Sequence, residues 1–161
     1  MTQKVKRKQA LRIFMSYDAA DRAHALNLER LLSQRLNVRI FTTEMLSAGK
    51  NWQSKLRGEL SKCDILLALL SPNSVNSTWV LHEVGAAWVR GKPIIFILTN
   101  PEVLPRFPVA LEHVLYLKLE ELEKPEIINR ILEHYEEVTN VYEHIRAKRY
   151  PGISLSLLHK P

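Results

Sequence analysis

Residues Asp64 to Leu70 read "DILLALL". A strand with one wet face shows a polar residue at every second position, and this run shows none after Asp64. Both faces must therefore be covered, which puts the segment in the middle of a parallel sheet with helices on either side. The rest of the chain has to supply the flanking strands and the crossover helices.

It does so in alternation. "LRIFM" (residues 11 to 15) is a short apolar run that suits a first strand ending at Ser16. Asp18 offers an N-cap, and Ala25, Leu28, Leu32 and Leu36 recur at helical spacing, predicting an amphipathic helix over 19–36. "VRIF" (Val38 to Phe41) is a second strand, followed by the loop "TTEMLSAGK" with Gly49 as its flexible point. Trp52, Leu56, Leu60 and Cys63 make the inner stripe of a second helix. After the central strand and the loop "SPNSVNS" comes a third helix, which "GKPIIFIL" (Gly91 to Leu98) ends before supplying a fourth strand. "NPEVLPRFP" holds three prolines and predicts loop, and "VLYLKL" (Val114 to Leu119) predicts an edge strand. From Pro125 onward, Ile128, Ile131, Tyr135, Val138, Tyr142 and Ile145 form one long helical stripe. The ending "YPGISLSLLHKP" has no period, and the sequence shows no internal repeat.

Strand and helix alternating through short links is the pattern of a doubly wound α/β sheet. Ligands in such sheets sit at the carboxyl ends of the strands. Here those ends are Ser16 to Asp18, Thr42 to Glu44, Ser71 to Pro72 and Leu98 to Asn100.

Length and charge narrow the class. With 161 residues the chain suits one domain over 11–148, a basic tail over 1–10 and a C-terminal tail or linker over 149–161. The longest apolar run, Ile65 to Leu70, is too short to cross a bilayer, and no signal-peptide segment follows the basic start, so a cytosolic protein is expected. The formal charge of +6 sits at the ends: between Ile13 and His144 there are 14 Lys/Arg against 17 Asp/Glu, a net −3. The basic ends are read as solvated tails, with neither membrane nor nucleic acid as the expected partner. The single cysteine, Cys63, excludes an internal disulfide or a thiolate zinc cluster and is read as a buried, inert thiol.

One segment carries chemistry. "STWVLHEVGAAW" (Ser77 to Trp88) sets Glu83 four residues after Trp79 in an otherwise apolar helix. At about 100° per residue, Leu81, Val84 and Trp88 share one face as core contacts, and Trp79 and Glu83 point toward the cleft. The helix dipole there would favour the ionised carboxylate by ~0.3–1 kcal/mol. Periodicity alone leaves a plain alternative open, in which Trp79 plugs a hydrophobic edge and Glu83 is a solvated helix residue. Other chemistries lack their residues. No Gly-rich phosphate loop is present, no Ser or Cys sits in a nucleophile elbow, the histidines lack metal spacing, and His82 reads as surface. Response-regulator chemistry needs an acid at the end of the central strand, where Ser71 stands.

These residues resemble the Toll/interleukin-1 receptor (TIR) domain, in particular its bacterial, NAD-cleaving branch. The likeness rests on "IFMSY" at the first strand, "EMLSAGK" after the second, "LLSPNSVNSTWVLHE" across the third strand and helix, and "GKPIIFIL" after it. It implies a flavodoxin-like doubly wound sheet of about five parallel strands flanked by helices. It also implies an NAD+ glycohydrolase or cyclase, needing no metal or cofactor, that yields nicotinamide and ADP-ribose or a cyclic isomer. Trp-x-x-x-Glu is the catalytic signature of that branch, and the matching residues are Trp79 and Glu83. The likeness makes Glu83 the catalytic carboxylate and Trp79 a wall or stacking partner for the nicotinamide riboside. Phe14, Ser16, Tyr17 and Ser71 would line the pocket, with Thr42 and Glu44 in the substrate region. Met45, Leu46, Gly49 and Lys50 would belong to the mobile loop that rearranges when domains stack. Partners implied are NAD+, further copies through TIR–TIR contacts, and an upstream sensor or fused domain, in antiphage defence or signalling. The chain departs from the family pattern at Thr42, where many members have an acid, and at Asp18 and Met45, where the related animal NADase has basic residues.

Two other readings fit parts of the sequence. "HEVGAAWVRGKP" resembles the glutamate segment of nucleoside deoxyribosyltransferases, although "NSTW" replaces their usual approach to that residue. A non-catalytic TIR adaptor would stack through the same loop without turnover.

Overall fold

The computed structural model describes residues 9–45, 51–106 and 113–149. Expectations placed on Leu46, Gly49 and Lys50, and on most of both tails, lie outside those residues.

Five parallel strands form one sheet: β1 (Leu11–Ser16), β2 (Val38–Thr42), β3 (Ile65–Leu70), β4 (Ile94–Leu98) and β5 (Val114–Lys118), in the order β2-β1-β3-β4-β5. The expected doubly wound sheet is present, with β3 at its centre and β5 on an edge. All six residues of β3 are buried, which is why that segment shows no alternation. Among the described residues four α-helices cover the sheet: α1 (Arg22–Arg35), α2 (Trp52–Lys62), α3 (Thr78–Val89) and α4 (Glu126–Arg149).

Side-chain parity divides the core into two layers. Ile13 and Met15 of β1, Ile65, Leu67 and Leu69 of β3, and Ile95 and Ile97 of β4 face α1 and the first half of α4. Phe14, the even residues Leu66, Ala68 and Leu70, and Ile94, Phe96 and Leu98 face α2 and α3. This period of two fixes which face each strand's next residue serves once the strand ends.

Several sequence expectations change. Helix α1 starts only at Arg22, after a 3-10 turn (Ala19–Asp21) whose N-cap, Asp18, accepts a hydrogen bond from the Ala20 amide. "NPEVLPRFP" is not all loop: Pro101–Arg106 is a 3-10 helix, begun by the Asn100 side chain accepting from the Glu102 amide and pinned by buried Val103. Proline at its first position loses no hydrogen bond, because that amide would have no helical partner. On α3 the buried residues are Val80, Glu83, Val84 and Ala87, while Trp88 is 51% exposed. The core face is therefore turned from the expected Leu81–Val84–Trp88 line, and Glu83 stands at its margin rather than opposite it. Helix α4 buries Ile127 and Ile131 and half-buries Leu132, Tyr135 and Val138, whereas Val141, Tyr142 and Ile145 are exposed.

Candidate active site at the carboxyl edge of the sheet

Ser16 is the last residue of β1 and shares parity with Phe14, so it faces α3. Thr43 follows β2 with the parity of Phe41, and it too faces α3. Their hydroxyls converge on one carboxylate. Ser16 Oγ donates to Glu83 Oε2 at 2.5 Å, and Thr43 Oγ1 donates to Glu83 Oε1 at 2.7 Å. The Trp79 indole N–H donates to Thr43 Oγ1 at 3.4 Å, a long bond that orients more than it binds. Trp79 also packs on Trp52 at the start of α2, with ring centroids 5.1 Å apart and a 46° tilt.

Glu83 is 1% exposed. Burial raises its pKa above the usual glutamate value, and the hydrogen bonds from Ser16, Thr43 and Trp79 oppose that rise without cancelling it. The expected help from the helix dipole does not decide the matter. Glu83 is the sixth residue of α3, beyond the first turn where the dipole acts, and desolvation is the larger effect. The solvated-residue alternative is excluded by the same burial.

The remaining expected site residues divide by parity. Phe14 is fully buried beneath the site and packs on Phe41 at 5.5 Å. Tyr17 lies on the opposite layer, where burial raises its pKa and its hydroxyl meets Thr42 and Glu44. Glu44 is held by Arg22 at 2.9 Å, and Thr42 is buried. Ser71 also faces the α1 layer, where its hydroxyl donates to Asp21 and accepts from the Asn73 and Ser74 amides. Asp21 further accepts from Asn73 Nδ2 at 3.2 Å. The structure thus brings Ser16, Trp79 and Glu83 together and leaves Tyr17, Thr42, Glu44 and Ser71 on the other side of the sheet edge. Met45 is 54% exposed and lines a separate cavity of about 200 Å³ with Phe41, Cys63, Arg12 and Arg39. Sequence reasoning missed Thr43 and Asp21. The alternation Phe41, Thr43 was the available signal for the first.

Among the described residues, no group of three His, Cys, Asp or Glu is arranged to hold a metal ion, and no helix is long and apolar enough to cross a membrane.

A doubly wound parallel sheet with a buried carboxylate at its carboxyl edge defines the class, and the sequence specifies the family. The family model for the TIR domain matches residues 13–132, and the chain belongs to that family. The TIR domain of the Toll-related receptor TRR-2 from Hydra magnipapillata superposes with a TM-score of 0.60 at 16% identity, covering 77% of this chain and 97% of that one. The TIR domains of the activated Roq1 resistosome, which recognises the effector XopQ, give 0.49 at 17% identity, covering 82% and 83%. The CMP N-glycosidase BcmB of Clostridium botulinum gives 0.45 at 18% identity, covering 70% and 98%. At these identities the likeness concerns the fold alone. No curated protein matches the sequence significantly.

Proposed function

We propose that this TIR domain cleaves the nicotinamide–ribose bond of NAD+, with Glu83 as the catalytic carboxylate. The observation that carries the reading is the convergence of the Ser16 and Thr43 hydroxyls, with Trp79 donating to Thr43, on one buried glutamate at the edge where ligands of this fold bind. A carboxylate buried at such a cost, and held by hydroxyls from two other elements, is more than a helix-surface residue requires.

The reaction asks little of the protein. As the C1′–N bond breaks, its electron pair moves to the pyridinium nitrogen and nicotinamide leaves neutral, so no acid is needed for departure. Positive charge develops at C1′ and the ring oxygen. Glu83 accepts hydrogen bonds from the ribose hydroxyls and stabilises that cation, as one carboxylate of a glycosidase does. Water adds to C1′ and releases a proton to give ADP-ribose, or a nucleophilic atom of the adenine ring adds instead to give a cyclic isomer. Trp79 supplies a flat wall for the nicotinamide riboside. Substrate contact requires the hydroxyls to exchange partners, because Glu83 is closed off in this state. Self-assembly that opens the edge would supply that change, in the setting of antiphage defence or signalling in a bacterial cytoplasm.

The same closure favours a second reading, a TIR adaptor that stacks without turnover. Nicotinamide release from NAD+ by concentrated full-length protein separates the two, with Glu83→Gln and Glu83→Ala as controls and products resolved by chromatography. Release lost in both variants supports the hydrolase. Folded, self-associating protein with no release supports the adaptor.

A further inference from the structure

We infer that Ser16 is the positioning residue of the site: it grips the Glu83 carboxylate by Oε2 from the sheet side and leaves Oε1, the oxygen that Thr43 holds at rest, to take a ribose hydroxyl of NAD+. The assignment of Oε1 rests on the hydrolase reading above. The starting observation is that the two donors to Glu83 are unequal.

Ser16 is rooted in the sheet. It ends β1 in register with Ala68 of the fully buried central strand, one place after Met15 registers with Thr42 of β2. It is 0% exposed, and Phe14, on the same face, packs against Phe41. A hydroxyl has one proton to give, and Ser16 gives it to Glu83 Oε2 at 2.5 Å. Full burial keeps Ser16 from touching substrate, so it acts through Glu83.

Thr43 is held less firmly. The register of β1 with β2 stops one residue earlier, at Thr42, and Thr43 opens the 3-10 turn Thr43–Met45. It is half-buried, and Glu44 and Met45 after it are exposed. Its oxygen takes the Trp79 indole N–H at 3.4 Å. An indole only donates, so the proton of Thr43 is free to go to Glu83 Oε1, at 2.7 Å. Oε1 therefore lies on the side of the half-buried Trp79 ring, and Oε2 on the side of the sheet.

Exchange at Oε1 costs little. Thr43 carries a secondary alcohol, the same group as the C2′ and C3′ hydroxyls of ribose. A ribose hydroxyl that donates to Oε1 in its place leaves Glu83 with as many hydrogen bonds as before. Thr43 keeps the indole as donor and turns its own proton to the oxygen of the incoming hydroxyl, so no buried polar group loses its partner. Exchange at Oε2 would require the substrate to enter a fully buried position. Binding thus replaces the Thr43 bond and keeps the Ser16 bond, which holds the carboxylate still while charge develops at C1′.

Nicotinamide release from NAD+ by the concentrated full chain, followed from about pH 4 to about pH 8, tests this with Ser16→Ala, Ser16→Cys and Thr43→Val. The chemistry needs ionised Glu83, and losing a donor to the carboxylate disfavours that form, so the acid limb moves to higher pH. Among the described residues no charged side chain acts on Glu83: β1 offers Ser16, the turn after β2 offers Thr43, and Glu44 beyond it is turned to Arg22. The limb of kcat/KM belongs to the free protein and that of kcat to the complex. Ser16→Ala is expected to move both limbs and to lower kcat at least about tenfold. Ser16→Cys, a weaker donor of similar size, falls between it and wild type, and Thr43→Val moves the limb of kcat/KM alone. A kcat limb that moves as far in Thr43→Val as in Ser16→Ala overturns the inference. So does a Ser16→Ala protein with the kcat and limb of wild type. Absence of release from wild type removes the hydrolase reading and the role of Oε1 with it. The grip of Ser16 is then read from the carboxyl 13C signal of Glu83, assigned with Glu83→Gln, whose titration midpoint should rise more in Ser16→Ala than in Thr43→Val. Equal midpoints overturn that grip. Thermal unfolding shows which variants are folded at the assay temperature.

Discussion

Ser16 Oγ reaches across 67 positions of sequence to donate a 2.5 Å hydrogen bond to Glu83 Oε2, so the end of β1 and the second turn of α3 share one buried proton. Ser16→Ala removes that donor and leaves a buried carboxylate oxygen short of a partner. The expected loss is about 1–3 kcal/mol of stability, read as a lower midpoint in urea unfolding. A variant as stable as wild type would show that the bond contributes nothing.

The raised pKa of Glu83 has a definite sign in stability. Folding favours its protonated form, so below the usual glutamate range both states are protonated and no penalty applies. As pH rises from that range through the higher folded value, the unfolded chain ionises freely, the folded chain resists, and stability is lost. Glu83→Gln escapes this. Its stability relative to wild type is expected to be flat in acid and to grow as pH rises, measured by urea unfolding from about pH 4 to about pH 8. Parallel curves for the two proteins would contradict the burial argument.

Cys63 is 3% exposed, and burial pushes its thiol up to about 11. At pH 8 only about one molecule in a thousand carries the thiolate. Labelling by a disulfide reagent should therefore follow global unfolding, slow in buffer and fast in denaturant. Stoichiometric labelling within seconds in native buffer would mean the thiol is open to solvent.

Gly91→Ala places a side chain in the left-handed region and against the Tyr142 ring. The backbone part alone is expected to cost about 1–2 kcal/mol. Combining it with Tyr142→Ala should recover the steric part and leave the backbone part, a non-additivity that a double-mutant cycle measures. Strict additivity would mean the ring has moved aside freely.

How far the sequence reveals the site follows from parity. "DILLALL" is legible as the central strand because two-sided burial removes alternation, and the other strands follow from it. Trp79 and Glu83 stand out because a charge in an apolar helix is conspicuous. Thr43 and Asp21 do not, since small polar residues after strands are common in turns and only the period of two tells which side they serve. The burial of Glu83 was equally hidden. It depends on Ser16 and Thr43 arriving from strands far away in sequence, whereas local spacing reports only the helix face, and even that was read one residue askew at Leu81 and Trp88.

Ser16, Thr43, Trp79 and Glu83 all precede residue 84, while β4, β5 and α4 contribute none of them. The chain is thus divided along its length: the first half holds the buried carboxylate and its donors, and the second completes the sheet. Substitutions on β5 and α4 leave the carboxylate and its donors untouched, so the two halves of the chain are open to separate selection.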